Sequence, residues 1–298
     1  MFIIVLNWNG YNDTIECIES LKKITYPNYE IVIVDNGSTD GSEEILRERF
    51  PYIALIQTGE NLGYAGGNNV GIRYALERKG DYVILLNNDT IVDAEFVTEL
   101  VKVAELDRSI GMLSSKIYFY DRPDTIWFAG TTFSLRSGWS KQVGYNEKDK
   151  GQHDEIKEID LPCGCALMVS RSLCENIGLL NEEYFCYAEE ADWALRAKKV
   201  EFRVVYIPKS KVWHKVGASS NGIRSGKYIY YALRNTLRCL RDNAPCRSYL
   251  QTYVRIFILT MLYIGSLFTL NINKQAGLRY VYLGLLDYYN NRFGRLLR

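Results

Sequence analysis

The first hundred residues alternate short apolar runs with amphipathic stretches. Phe2–Leu6 is a continuous apolar run of strand length that ends in the polar turn Asn7-Trp8-Asn9-Gly10. Ile15, Ile18 and Leu21 then recur at helical spacing, closed by the breaker Tyr26-Pro27. A second strand is predicted over Glu30–Val34, ending in Asp35, and a third over Ile53–Gln57, with a helix over Ser42–Arg49 between them. A helix over Asn69–Lys79 leads to a fourth strand, Tyr82–Leu86. Strands without polar alternation are buried on both faces, and helices between them imply a parallel sheet with right-handed crossovers. Such sheets take ligands beyond the carboxyl ends of their strands. Here those ends carry Asn7/Asn9, Asp35/Asn36, Asn61 and Asn87/Asp89. Further on, the pattern predicts a helix over Ala94–Leu106, a strand over Ile110–Tyr118 and a polar loop over 136–158. A strand over Ala166–Val169, a helix over Tyr184–Lys199 and a strand over Arg203–Ile207 follow, and from Lys227 the chain reads as helical.

Composition changes this picture in two places. With 47% hydrophobic and 24% charged residues among 298, the chain buries a real core and is not disordered. The net charge of +1 hides an asymmetry: residues 1–223 hold 24 Lys+Arg against 33 Asp+Glu, whereas 224–298 hold 12 against 2. An acidic body with a basic tail suggests an anionic partner for the tail. The seven cysteines (17, 163, 165, 174, 186, 239 and 246) lack framework spacing, and Cys163-Gly164-Cys165 is too tight for a usual zinc knuckle. They read as reduced thiols of a cytoplasmic protein. The run at residues 2–6 follows no basic stretch and reads as a buried strand, not a signal peptide.

Five segments carry candidate chemistry. VDNGSTDGS at 34–42 sets a carboxylate and small polar residues just past a strand, where Asp35 accepts hydrogen bonds from a base or ribose, or the segment is an ordinary Asp-Gly turn with a helix cap at Asp40 or Ser42. NLGYAGGNNVGI at 61–72 is a glycine-rich turn opening a helix whose N-terminus favours a diphosphate, and it is not the dinucleotide fingerprint. LLNNDT at 85–90 delivers Asn87, Asn88 and Asp89 to the sheet edge, with Asp89 placed to hold a divalent cation bridging two phosphates. EEADW at 189–193 crowds Glu189, Glu190 and Asp192 at a helix start. Neighbouring carboxylates raise at least one pKa and so suit a general base, although Asp192 is also spaced to pair with Arg196. Of two histidines, His153 sits in a polar loop, while His214 follows a strand-like Lys211-Val212-Trp213 and is either structural or a metal ligand.

Taken in order over residues 2–217, NWNG, VDNGSTDGS, NLGYAGGNN, LLNNDT, CGCALMVSR, YAEEADWALRAKK and VWHKVG resemble the family 2 inverting glycosyltransferases of the GT-A fold, in particular the rhamnosyl- and galactofuranosyltransferase branch. The resemblance implies an α/β GT-A fold with a mostly parallel central sheet flanked by helices and a C-terminal helical extension. Residues 1–217 form the catalytic domain (1–100 the nucleotide-binding half, 101–217 the acceptor and catalytic half), and 218–298 the tail. It implies a nucleoside-diphosphate-sugar donor held by Asn7, Asn9, Asp35, Asn36, Asn61, Gly66, Asn69, Asn87 and Asn88. It further implies a divalent metal, Mn²⁺ before Mg²⁺, on Asp89 and His214. Glu190 falls at the family's catalytic base, usually an aspartate, with Asp192 the second candidate and Glu189 beside them. Asn87 replaces the first acid of the family's Asp-x-Asp element, which leaves Asp89 to carry the metal.

Within the tail, Ile229, Leu233, Leu237 and Leu240 share one helical face, and Arg234, Arg238 and Arg241 share another. Between Arg255 and Lys274 lie 18 uncharged residues, borderline for a bilayer span and better suited to a buried or interfacial helix. With its tyrosines and terminal arginines the tail reads as a peripheral anchor to anionic lipid on the inner face of the cell membrane, or as a cap on the catalytic body or a homodimer interface. No nucleic-acid module accompanies the basic stretch. A lipid-linked glycan is then the expected acceptor. The competing readings are a sugar-phosphate nucleotidyltransferase, which needs a basic glycine-rich loop after its first strand, and a non-catalytic nucleotide-sugar binder, which needs neither the acidic cluster nor His214.

Overall fold

The computed structural model describes residues 1–216, 226–244, 248–269 and 273–297. Gly217 and Cys246 lie outside the described residues. The amino-terminal half follows the predicted alternation. Strands β1 (Phe2–Asn7), β2 (Glu30–Asp35), β3 (Ala54–Gln57) and β4 (Tyr82–Asn87) are separated by helices α1 (Tyr11–Leu21), α2 (Ser42–Arg49) and α3 (Gly63–Glu77). They lie in the order β3-β2-β1-β4, all parallel. Register sets Asn7 opposite Asp35, Asp35 opposite Gln57, and Leu6 opposite Asn87, so the polar strand ends line one rim. Ile3, Ile4, Val32, Val34, Ile84 and Leu85 are fully buried, which is why these strands are apolar without alternation.

The second half is mostly antiparallel, with its last strand (Arg203–His214) alone pairing parallel, to the strand Ile110–Phe119, so the sheet is mixed. After β5 (Thr90–Val92) and α4 (Phe96–Ala104) come β6 (Ile110–Phe119), β7 (Thr125–Phe128), β8 (Thr131–Phe133), β9 (Ser140–Gln142), β10 (Glu147–Lys148) and β11 (Lys157–Glu158). Then follow β12 (Ala166–Ser170), α5 (Arg171–Ile177), α6 (Glu189–Lys199) and β13 (Arg203–His214). β12 inserts antiparallel between β4 and β6. The polar stretch 136–158 is not all loop: β9 pairs with β8 as a hairpin, β10 edges β7, and β11 edges β13. β13 runs seven residues beyond the predicted Ile207. An irregularity between Ile207 and Lys211 re-aims it, Ser210 bonding Phe96 O and Ser115 Oγ at 2.8 Å each, and its last residues pair with β5.

Three helices follow: α7 (Gly226–Asn243), α8 (Tyr249–Thr269) and α9 (Lys274–Tyr289). The predicted apolar face of α7 is buried, with Leu259, Leu267 and Val281 from α8 and α9 in the same core. Its predicted basic face is not a lipid-facing surface. Arg234 and Arg238 are buried, Arg238 pairing with Glu183 and Asp242, while half-buried Arg241 bonds Asp242 and Asn291. Pairing a buried guanidinium offsets its desolvation, and α7 spends the charge of Arg234 and Arg238 internally, although Arg238 Nη1 has no hydrogen-bond partner among the described residues.

Candidate active site

The rim is built largely from side-chain amides bonded to one another. Asn7 donates to Asp35 Oδ1 (3.2 Å) and accepts from Thr14 (2.8 Å), and Asn88 donates to Thr14 (3.0 Å) and Gly10 O (3.2 Å). Asp35, fully buried, also takes the Ser38 hydroxyl and Gln57 (2.9 Å). Asn9, at φ 52°, accepts from Thr39 N (2.8 Å). Asn36 donates to Gly63 O (3.0 Å) and Asn61 (3.3 Å) and accepts from Leu62 N (3.0 Å). These residues stand together and fix the loops around the rim.

Two expectations for the glycine-rich segment are corrected. It is not a turn before a helix at Asn69, because α3 already begins at Gly63. Nor are its first donors left for a diphosphate, since Gly63 N bonds Asn61 Oδ1 (2.8 Å) and Ala65 N bonds Phe185 O (3.3 Å). Its glycines serve packing: a Cβ at Gly63 (φ 75°) would run into Phe185 O, at Gly66 into Leu62, and at Gly67 into Leu6. Asn69 is placed away from the rim, its amide gripping Leu180 O (2.8 Å), Leu180 N (3.1 Å) and Glu182 (2.9 Å).

At the end of β4, half-buried Asn87 is followed by Asn88 and Asp89, the last 2% exposed. The pairing of β13 with β5 sets His214 opposite Thr90, and His214 Nε2 lies 3.1 Å from Asp89 Oδ1. Trp127 packs edge-on against the imidazole, whose Nδ1 is buried with no hydrogen-bond partner among the described residues. Two ligands about 2.1 Å from an octahedral ion, at right angles, stand about 3 Å apart. This carboxylate–imidazole pair therefore fits a divalent cation. Among the described residues no third His, Cys, Asp or Glu completes a cluster, so the remaining positions would fall to phosphate oxygens and water.

The acidic cluster is divided by the fold. The predicted helix from Tyr184 is interrupted: a 3₁₀ turn (Glu182–Tyr184) leads into Phe185, Tyr187 and Ala188 at positive φ, and α6 starts at Glu189. Asp192 is turned out of the site and into the seam between α6 and α7. Its oxygens take Arg196 (2.8 Å) and Asn243 (2.8 Å), the bland pairing its i+4 spacing allowed. Glu189 and Glu190 each keep one buried oxygen without a hydrogen-bond partner among the described residues. Burial, then the neighbouring Glu190 charge, holds the Glu189 carboxyl well above the usual range. Burial also raises Glu190, against the opposing pull of the Glu190 and Gly164 backbone N–H groups. Glu190 is half-buried and lines a cavity of about 330 Å³.

The Cys163-Gly164-Cys165 turn connects these two places. Cys165 O accepts from Asn87 N (2.9 Å), and the Asp89 charge helps raise the Cys165 thiol, after burial and the bond from Cys163. Gly164 O accepts from Tyr64 (2.5 Å), a phenol raised by burial and then by Glu190 and Glu189. The turn thus touches the end of β4 through Cys165 O and the Glu190 carboxylate through Gly164 N.

The loop bearing the glutamates is held from a place the sequence does not reveal. Asn235 of α7, fully buried, donates through Nδ2 to Tyr184 O (2.8 Å), Cys186 O (2.8 Å) and Tyr187 O (2.9 Å). Arg234 adds a bond to Tyr184 O (3.3 Å), and is itself fixed by Asn235, Tyr230 and Gly294 O (2.9 Å each). In sequence both are ordinary polar positions of an amphipathic helix.

Residues 2–178 match the family model described as Glycosyl transferase family 2, and the chain belongs to that family. It is a glycosyltransferase of the GT-A fold. It is 28% identical over 248 residues to the low-salt glycan biosynthesis hexosyltransferase Agl10 of Haloferax volcanii, covering 81% of this chain and 75% of that one. The dTDP-rhamnosyl transferase RfbF of Shigella flexneri is 26% identical over 265 residues, 86% of each chain. Among solved structures, the mannosyltransferase PcManGT of Pyrobaculum calidifontis, in complex with GDP-Man and Mn²⁺, superposes with a TM-score of 0.62 at 15% identity, covering 98% of this chain and 87% of that one. GalNAc-T7 with UDP, GalNAc and Mn²⁺ gives 0.64 at 17% identity, covering 80% and 47%.

Proposed function

We propose that this glycosyltransferase moves a sugar, rhamnose or a similar hexose, from a nucleoside-diphosphate donor to a hydroxyl of a glycan or lipid-linked acceptor, with inversion at the anomeric carbon. The observation that carries the reading is the 3.1 Å approach of His214 Nε2 to Asp89 Oδ1 just past the end of β4. Asp89 and His214 would hold Mn²⁺ or Mg²⁺, which offsets charge building on the leaving diphosphate. The rhamnosyl-transferase name of one relative and the Mn²⁺-bound neighbours support this assignment of donor and metal.

Glu190 acts as the base. A carboxylate whose pKa is raised toward neutrality takes a hydroxyl proton with more driving force than an ordinary one. The proton passes from the acceptor oxygen to the Glu190 carboxylate while that oxygen bonds the anomeric carbon and the bond to diphosphate breaks. Asn7, Asn9, Asp35, Asn36 and Asn61 shape the nucleotide rim, and Asn87 and Asn88 border the phosphates. Residues 218–298 form the tail on a 1–217 catalytic unit. The tail rests peripherally on an anionic membrane surface on the cytoplasmic side, through α8 rather than through the arginines of α7. Tyr253, Phe257, Met261 and Phe268 of α8 are exposed, and its stretch Tyr249–Phe268 is long and apolar enough to cross a membrane by length and composition.

A thermal-shift screen of nucleoside diphosphates with Mn²⁺, followed by transfer assays on wild type and Glu190→Gln, tests the reading. Retained nucleotide binding with lost turnover in the variant is expected. Full turnover in EDTA would contradict the metal.

A further inference from the structure

We infer that Cys163 and Cys165 form a redox pair that a peroxide closes to a disulfide, and that closure withdraws support from the end of β4 and from Glu190. The disulfide itself is independent of the reaction assigned above, whereas its effect on turnover rests on the reading of Glu190 as base. All six described cysteines are free thiols, and the Cys165 thiol is bonded to that of Cys163. Residues two apart in a chain lie at most about 7 Å apart. A disulfide accepts Cα separations of about 4.4–6.8 Å, and the turn at Gly164 and Cys165 shortens the span toward that range.

Access divides the roles. Cys163 is half-buried and Cys165 is 4% exposed, so the oxidant meets Cys163 first. The Cys163 thiolate attacks one peroxide oxygen, the O–O bond breaks, and hydroxide leaves with the electron pair, giving a sulfenic acid. The Cys165 sulfur then attacks the Cys163 sulfur. An S–S bond forms, the S–O bond breaks, and the departing hydroxide takes the Cys165 proton. The two sulfurs lose two electrons, the peroxide gains them, and both thiol protons end on water. Exchange with a small thiol reopens the ring.

The turn cannot absorb this change silently, because every part of it is engaged. Cys163 N donates to Ser114 Oγ (3.3 Å), and Gly164 O accepts from Tyr64 (2.5 Å). Gly164 N serves the Glu190 carboxylate, and Cys165 O accepts from Asn87 N (2.9 Å). A Cβ on Gly164 would lie 2.8 Å from the Tyr64 hydroxyl, so the turn is packed tightly against that ring. Drawing the two sulfurs into a covalent bond rotates the peptide planes on either side of Gly164. Those planes then give up their bonds to Asn87 and Glu190, and the base shifts.

The test treats the full chain with hydrogen peroxide, alkylates the remaining thiols, and weighs the tryptic peptide 158–171, which holds both cysteines. We expect that peptide two hydrogens lighter and free of alkyl groups. Transfer by the same preparation should fall about 10²-fold, and dithiothreitol should restore both. Cys165→Ala should stop at the sulfenic acid on Cys163, trapped with dimedone. Cys163→Ala and the conservative Cys163→Ser should transfer as wild type and keep that rate through peroxide. Alkylation of both thiols after peroxide overturns the pair, as does a Cys165 cross-link to any other cysteine. A disulfide with unchanged transfer overturns the coupling, as does peroxide inactivation that persists in folded Cys163→Ala and Cys163→Ser. Failure of the Glu190 reading registers separately, as full transfer by reduced Glu190→Gln.

Discussion

Replacing Asn235 by aspartate keeps the side chain's shape and turns its donor into an acceptor. In the native protein one NH₂ group reaches three carbonyl oxygens, at 2.8, 2.8 and 2.9 Å, so at least one hydrogen is shared. Tyr184 O keeps its bond from Arg234 in the variant, but Cys186 O and Tyr187 O lose theirs. A buried polar group left unmade costs about 1–3 kcal/mol, and these two carbonyls are only part-buried, which puts the sum near 2–3 kcal/mol. The loop also holds Phe185, Tyr187 and Ala188 at positive φ, each a conformation that costs about 1–3 kcal/mol and persists only while its surroundings enforce it. With the clamp removed the loop relaxes and Glu190 leaves its position. A misplacement of about 1 Å at a reacting group lowers turnover about 10²-fold. The assay is steady-state transfer with donor and acceptor varied separately, alongside thermal melts and nucleotide titration. We expect kcat to fall about 10²-fold, donor KM to hold, and nucleotide affinity to stay at the wild-type value. A folded Asn235→Asp enzyme with unaltered kcat would refute the reasoning that α7 positions the base.

Other outcomes follow from the same structure. Glu190→Gln should lower kcat about 10²–10⁴-fold with nucleotide binding intact, measured by transfer and titration. Because burial raises the Glu189–Glu190 pair, the acid limb of the kcat profile should lie above the ordinary carboxylate value of about 4.3, and both steps belong to the pair. A carboxyl whose folded pKa is raised binds its proton more tightly when folded, so its contribution to stability falls as pH rises from the unfolded value through the folded one. Glu189→Gln should therefore raise the melting temperature at pH 7–8 and flatten its pH dependence, as seen in melts across pH. Substituting Leu250 and Phe257, both exposed on α8, by glutamate should abolish sedimentation with phosphatidylglycerol vesicles and preserve transfer to soluble acceptors. Gly63→Ala forces a left-handed alanine against Phe185 O and should reduce stability and turnover together, read by melts and transfer.

Much of the fold is legible in the sequence because local and global signals agree in the first half. Phe2–Leu6 and Tyr82–Leu86 read as buried parallel strands and are such strands, each one residue longer. In the second half the strands are legible but not their sense: β12 looks like any short apolar run, and nothing local reports that it inserts antiparallel against β4. The segment 184–188 carries residues compatible with a helix, and what breaks it is Asn235, some fifty positions away, offering its backbone better partners. Asp89 and His214 stand out in the sequence through their motifs, but their approach does not: the pairing of β13 with β5, past an irregularity in β13, sets His214 opposite Thr90 and within 3.1 Å of Asp89. The charge excess of the tail is readable in the sequence, but how it divides between interior and surface is not. Arg234 and Arg238 of α7 are spent on Tyr184 O and Glu183, whereas Lys227, Lys274, Arg279, Arg292 and Arg295 stay exposed alongside the apolar surface of α8.

The division of labour between the two ends of the Cys163-Gly164-Cys165 turn is tested most directly by titrating a nucleoside diphosphate, with and without Mn²⁺, into wild type, Asp89→Asn and Glu190→Gln, and assaying transfer in the same preparations. Wild type should bind only weakly without the ion, Asp89→Asn should lose the Mn²⁺-dependent gain, and Glu190→Gln should keep it while its transfer falls about 10²–10⁴-fold. Mn²⁺-dependent binding retained in Asp89→Asn, or normal transfer by Glu190→Gln, would contradict the account.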